Sequence, residues 1–234
     1  MNQTSSTLLA IAMTVAGYLS ALCATPPNPP PIQKDRHGTD RIKLIVGSFA
    51  TIVRRTLVTA VMYHALVAVS PFYAPARLPQ VCPLSRNTNS DLFAWNAITV
   101  STLGLIYIGA YIRLSAYGGL GKSFTFQLAA PADLVTTGVY GWIQHPSYTG
   151  FAMIAIGCVS LFLRWDATPA CWIPTSALSP WHGWGITVIA GLAALGFWVL
   201  IIRVRDEEEM LRQKFGKKWE EWHHSTKRFI PGLV

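Results

Sequence analysis

Five apolar stretches, at about 5–24, 56–73, 92–112, 148–163 and 183–202, dictate what this chain can fold into. A helix needs about 20 apolar residues to cross the hydrocarbon core of a bilayer. Inside that core every backbone polar group must be satisfied within the chain, so only helices and closed barrels span it. The sequence therefore predicts an all-α, polytopic membrane protein with about five transmembrane helices. It forms a single domain over 1–234 and ends in a charged helix from about 203 to 226. Charged residues make up 13% of the chain, against about 25% in a soluble domain, and they are gathered between the apolar stretches. The stretch 42–53 is also apolar, but Arg54 and Arg55 cut it short, which suits an interfacial or re-entrant helix.

The basic residues orient the chain. Alternate loops on one side hold six (25–55), two (113–147) and eight (203–234) Lys and Arg, against two (74–91) and one (164–182) on the other. The basic side faces the cytosol, which puts the N-terminus in the lumen and the C-terminal helix in the cytosol. The first span reads as an uncleaved helix rather than a signal peptide. Met1-Asn2-Gln3-Thr4 carries no Lys or Arg, and Leu22 is too large for cleavage after Ala24. The net charge of +8 belongs beside anionic lipid headgroups, and no nucleic acid is expected. Of the four cysteines, Cys82 and Cys171 fall in lumenal loops, where a disulfide is chemically permitted. Cys23 and Cys158 read as small apolar residues. No set of Cys and His has metal-ligand spacing, and His64, inside a span, reads as a hydrogen-bonded packing residue.

Two polar blocks remain, each at the cytosolic end of a span. Gly138-Val139-Tyr140-Gly141-Trp142-Ile143-Gln144-His145-Pro146-Ser147-Tyr148-Thr149-Gly150 leads into the fourth span. Pro146 suits a first helical turn, whose free backbone N–H groups could face a carboxylate, with His145 and Tyr148 adding side-chain donors. Arg203-Val204-Arg205-Asp206-Glu207-Glu208-Glu209 begins where the fifth span stops. Arg203, Glu207, Leu211 and Phe215 follow one helical face. Acids directly beneath a bilayer repel anionic headgroups unless a cation offsets them. Ala116-Tyr117-Gly118-Gly119-Leu120-Gly121-Lys122-Ser123 imitates a phosphate-binding loop, but it follows a membrane span instead of a β-strand. It reads as a flexible turn.

Leu134 to Tyr140 with His145-Pro146-Ser147-Tyr148, followed by Arg203-x-x-x-Glu207-Glu208-x-x-Leu211-x-x-x-Phe215-Gly216, resembles isoprenylcysteine carboxyl methyltransferase over roughly 123–234. The resemblance implies methyl esterification of a prenylated C-terminal cysteine, in proteins or small analogues, from S-adenosylmethionine in the endoplasmic reticulum membrane. By position it implies that Gln127, Ala132, Asp133, Leu134, Val135, Tyr140, His145, Pro146, Ser147 and Tyr148 border the cofactor, together with Glu207 and Glu208. Arg203 would meet the substrate carboxylate, and Arg203 and Glu207 would be the catalytic pair. Two departures stand out: Gln144 replaces the Arg that commonly precedes the His-Pro pair, and the chain has fewer spans than the longer animal members.

The chemistry agrees with these residue types. An α-carboxyl group ionises with a pKa near 3.3–3.7, so it needs no general base before attacking a methyl group. What remains is alignment and exclusion of water. A guanidinium can grip a carboxylate through two parallel hydrogen bonds. Two rivals use related architecture. Methylation of a phospholipid amine would want a base near Arg203, and a nicotinamide-dependent lipid reductase would want more cations for a phosphate.

Overall fold

The computed structural model of the chain describes residues 2–31, 50–178 and 184–230. Among them, six helices of nine residues or more carry the architecture. These are α1 (Gln3–Cys23), α2 (Ala50–Tyr73), α3 (Ala97–Leu120), α4 (Pro146–Leu161), α5 (Trp184–Phe215) and α6 (Lys217–Ser225). No β-strand occurs among the described residues, only one isolated bridge between Ile143 and Lys227. α1, α2 and the stretch Ala97–Ser123 are each long and apolar enough to cross a membrane, whereas α4 is apolar but shorter. Residues 42–49, most of the expected interfacial helix, lie outside the described residues.

Helix ends differ from the sequence expectation for local reasons. The third span was expected at 92–112, but α3 begins only after Asn96, whose Oδ1 accepts from the N–H groups of Ile98 and Thr99. This is the side-chain cap that satisfies orphan amides at a helix start. α3 then runs to Leu120 and stops at Gly121, which has a positive φ of 52°. Arg113, counted from sequence as a loop cation, therefore sits inside the helix. Arg54 and Arg55 likewise lie within α2. The charged helix expected from 203 is no separate element: α5 continues unbroken to Phe215, and Gly216 (φ 52°) divides it from α6.

The chain divides into two compact units. The first comprises Met1–Leu22, Val53–Ile108 and Met153–Ala193; the second comprises Cys23–Ile52, Gly109–Ala152 and Ala194–Val234. In the first, helices approach closely at glycines, as small residues allow in membranes. A Cβ on Gly17 would meet Val61 Cγ1 at 2.6 Å, and one on Gly157 would meet Ile106 Cγ1 at 2.5 Å. His64 is fully buried and stacked on Phe93, with Nε2 2.9 Å from Leu92 O. It is a packing residue, as expected.

The 74–91 connection is more than a plain loop. Cys82 is bonded to Cys171, Leu84 N–H donates to Cys171 O, and Asn89 N–H donates to Asp166 O. Arg164 donates twice to the Asp166 carboxylate. Closing a chain segment of this length removes denatured-state entropy equivalent to about 4–5 kcal/mol.

The second unit holds both polar blocks. Its core gathers Ala116, Leu128, Leu134, Tyr140, Met210, Leu211, Trp219 and Trp222, so the loop before α4 is clamped onto α5 and α6. After α1, Asn28 Nδ2 donates to the carbonyls of Gly121 and Phe124, capping the exit from α3.

Candidate active site

Tyr148, in the first turn of α4, links the two blocks. Its hydroxyl donates to Glu207 Oε2 at 2.6 Å and accepts from Arg203 Nε at 3.2 Å. Arg203 and Glu207 are four residues apart on α5, so they share the helical face turned to Tyr148. Arg203 is buried, and its Nη2 also donates to Phe126 O at 2.6 Å. The Tyr148 hydroxyl and the Phe126 carbonyl thus hold the guanidinium from two directions.

Glu208 is rotated about 100° from Glu207 on the helix and meets a different set. His145 Nε2 lies 3.2 Å from its Oε1, and Arg228 donates through Nε at 2.7 Å and Nη2 at 2.9 Å. Burial alone would raise the Glu208 pKa, but the hydrogen bonds and charges of His145 and Arg228 outweigh it and hold it at about 2. The same pairing raises the Arg228 pKa above its ordinary value. Because the ionised carboxylate only accepts, His145 carries its proton on Nε2. In the neutral ring Nδ1 is then the acceptor, and it is buried without a hydrogen-bond partner.

The C-terminal tail folds back as a strap along the start of α4. Gln144 N–H donates to Lys227 O at 2.8 Å, His145 N–H to Arg228 O at 2.9 Å, and Thr149 Oγ1 to Phe229 O at 3.0 Å. Two amides just before the helix are therefore taken by the chain itself. Gln144 is buried and staples the strap: its Nε2 donates to His223 O and Thr226 O, and its Oε1 accepts from His223 Nδ1. The cation beside the His-Pro turn comes instead from Arg228, 84 positions along the chain from Gln144.

Ser147 turns toward α3. Its carbonyl and hydroxyl both accept from Arg113 Nη1, at 2.9 and 2.8 Å, while Arg113 Nε donates to Cys23 O at 2.8 Å. α3 and α4 can approach this closely because residue 150 is glycine: a Cβ there would lie 2.5 Å from Gly109 O.

Among the residues expected around a cofactor, the structure joins Tyr148 and Glu207 with Arg203 in one polar network and His145 with Glu208 in a second, neighbouring one. Pro146 starts α4 and is fully buried. Leu134, Val135 and Tyr140 belong to the apolar packing beneath the network, and burial, followed by the Glu207 charge, pushes the Tyr140 phenol up. Gln127 follows Phe126, and its Oε1 is buried without a hydrogen-bond partner. Ala132 and Asp133 are exposed. A cavity of about 440 Å³ lies elsewhere, against Arg205, Arg212, Trp219, His224 and Arg228. These α5 residues occupy the helix face opposite Arg203, and Glu208 is the one expected site residue that lines it. Among the described residues no cluster of His, Cys, Asp and Glu could hold a metal.

Sequence reasoning missed Arg113, Phe126 and Arg228. Arg113 carried a readable signal, an arginine within a run that stays largely apolar. Phe126 acts partly through its carbonyl, and Arg228 through a tail contact that no local pattern announces.

Residues 102–182 match the model of the isoprenylcysteine carboxyl methyltransferase (ICMT) family. The chain is 28% identical over 144 residues to the protein-S-isoprenylcysteine O-methyltransferase of Schizosaccharomyces pombe, covering 59% of this chain and 52% of that protein. It is 27% identical over 138 residues to protein-S-isoprenylcysteine O-methyltransferase B of Arabidopsis thaliana, covering 56% and 59%. A shorter stretch of 64 residues is 41% identical to the Saccharomyces cerevisiae protein-S-isoprenylcysteine O-methyltransferase, covering 26% and 27%. The chain spans between a quarter and three fifths of the length of these relatives. The family match includes the His145–Tyr148 turn and ends before Arg203.

Proposed function

We propose that this chain, whose residues 102–182 match the model of the isoprenylcysteine carboxyl methyltransferase family, esterifies the α-carboxylate of a C-terminal prenylcysteine. The observation that carries this reading is the Arg203–Tyr148–Glu207 arrangement. It sets a buried guanidinium beside an acid where α4 begins and the apolar part of α5 ends.

S-adenosylmethionine, when bound, supplies a sulfonium methyl group. Its ammonium and ribose hydroxyls need acceptors, and the chain has them in Glu207 and in two buried, unpartnered atoms, Gln127 Oε1 and His145 Nδ1. Glu208 would act through His145, fixing the tautomer that leaves Nδ1 as an acceptor. Tyr148 holds Arg203 and Glu207 in register through one hydroxyl. Arg203 would then orient the carboxylate, which is already ionised at neutral pH. The apolar helix faces exclude water from the reacting atoms and admit a prenyl chain sideways from lipid. An amine acceptor would need a free base here, whereas Glu207 accepts from Tyr148 beside the Arg203 cation. That disfavours the phospholipid-amine alternative.

The reading also includes an orientation, five spans, and residence in the endoplasmic reticulum with the tail cytosolic. Two independent features support the orientation. Basic residues crowd the loops that carry the site. The Cys82–Cys171 bond lies on the other set of loops, where an oxidising lumen would preserve it.

The test supplies membranes holding the protein with labelled S-adenosylmethionine and N-acetyl-S-farnesylcysteine. Label should appear as a base-labile ester, and Arg203→Ala or Glu207→Ala should each lower the rate by about 10²-fold or more, as for loss of a transition-state contact, with unchanged membrane insertion. Full activity in both variants would remove the site.

A further inference from the structure

We propose that the C-terminal strap and the adjoining part of α5 form a docking surface for anionic phospholipid headgroups, and that the lipid seats the strap against α4. The proposal draws only on the membrane placement in the reading above, so failure of methyl transfer would leave it standing. Depth carries the first part of the argument. The apolar run of α5 stops at Ile202, and Arg205 stands three residues later, about 4.5 Å farther along the axis. The headgroup layer on each side of the hydrocarbon core is about 5–7 Å deep, so Arg205 lies within it. α5 continues outward to Phe215, yet the strap returns to the level of the apolar boundary. Thr149, in the first turn of α4, donates to Phe229 O, and its neighbour Tyr148 meets Arg203, the first residue past the apolar run.

The side chains displayed at this depth suit a lipid surface. Trp142 is 73% exposed, beside the Ile143–Lys227 bridge that joins its loop to the strap, and Ile230 in the strap is 48% exposed. Tryptophan favours headgroup depth. Lys227 and Arg228, in the same strap, are exposed as well. Arg228 and Arg205 line one cavity of about 440 Å³. The acids that line it are already engaged: Glu208 by Arg228 and His145, Glu209 by Gln213, and Glu220 by Arg212. No described carboxylate pairs with Arg205 or Lys227. Anionic headgroups supply that counter-charge, whereas an acidic protein segment would meet the cations but not the apolar side chains at membrane depth. Lipid held there fixes the strap whose carbonyls accept from the Gln144 and His145 amides and whose Arg228 grips Glu208.

Native mass spectrometry of the full chain, offered equal amounts of phosphatidylserine and phosphatidylcholine with identical acyl chains, reads the ratio of bound lipids within one preparation, so loss of folded protein cancels. The parent should favour phosphatidylserine. Arg205→Gln and Lys227→Gln should each cut that preference about fivefold, and together about 30-fold, the effect of one and of two cations at a charged lipid surface. Lys217→Gln with Lys218→Gln removes the same charge just beyond Phe215, which lies about 20 Å past Ile202 along the helix. That exceeds the screening length of about 8 Å, so this variant should keep the preference within about twofold. Hydrogen exchange in phosphatidylcholine vesicles with and without phosphatidylserine reads the seating itself. The Gln144 and His145 amides should exchange more slowly when phosphatidylserine is present, and the difference should vanish in the Arg205→Gln, Lys227→Gln double variant. A parent without lipid preference, or equal losses in the two double variants, overturns the docking surface, and exchange indifferent to phosphatidylserine overturns the seating. Capture of soluble glycerophosphoserine as strongly as of the lipid would also overturn a membrane-borne occupant.

Discussion

Replacing Gly150 by alanine should destabilise the protein and misalign the site, although alanine is the better helix former. A Cβ at this position would lie 2.5 Å from Gly109 O, 2.8 Å from Arg113 N and 2.9 Å from Arg113 Cβ. Two of these three atoms are backbone, so no side-chain rotation relieves the clash. Ordinary contact begins at 3.4 Å, so α4 must withdraw locally by about 0.9 Å. Such overpacking costs about 1–3 kcal/mol, whereas the gain in helix propensity is at most about 1 kcal/mol. Gly104, on the same α3 helix, meets nothing within 4 Å of a built Cβ, so Gly104→Ala isolates the propensity gain. Gly150→Ala should melt about 2–12 °C below Gly104→Ala in thermal denaturation in detergent. The withdrawal also stretches the 2.8 and 2.9 Å contacts between Arg113 and Ser147 beyond hydrogen-bonding reach. Methyl transfer should therefore fall much more in Gly150→Ala than in Gly104→Ala. Equal melting temperatures and equal activities would refute the close approach of α3 and α4 and the alignment that depends on it.

Cys82→Ser should lower stability by up to about 4–5 kcal/mol, and reductant should lower the melting temperature of the parent but not of the variant; reductant-insensitive melting of the parent would count against the bond. Glu208 has its pKa depressed from 4.5 to about 2, so its contribution is complete above pH 4.5 and disappears as pH falls toward 2. Arg228 is half exposed, and with that screening the contribution is on the order of 1–2 kcal/mol. The stability difference between the parent and Glu208→Gln should shrink across that acid range and stay flat above it. His145→Ala should weaken S-adenosylmethionine binding, measured by calorimetry, by about tenfold, the size of one hydrogen bond to a charged or buried group, with prenylcysteine affinity little changed. Unaltered cofactor affinity would remove His145 from the cofactor site.

The shared helical face of Arg203 and Glu207 was legible in sequence, because a spacing of four residues places two side chains on one side whatever surrounds the helix. Pro146 likewise marked a helix start, and charge asymmetry marked the loops that carry the site. The end of α3 was misread because a single arginine in an apolar run looks like a loop residue. The helix continues because neighbouring carbonyls and three rings receive that arginine in the interior. The tail strap was invisible for a different reason: parallel backbone pairing of 227–228 with 144–145 uses amides and carbonyls, which every residue carries.

Periodicity, apolar length and the order of the two polar blocks were determined by the chain alone, since these depend on local geometry and on transfer from water to lipid. Tertiary structure decided which groups meet. It took Glu208 to Arg228 and His145, Glu207 to Tyr148, and Arg113 to Ser147, choices among several chemically equivalent partners. Such choices rest on which backbones approach within hydrogen-bonding distance, and that is set by packing contacts as small as the missing Cβ of Gly150.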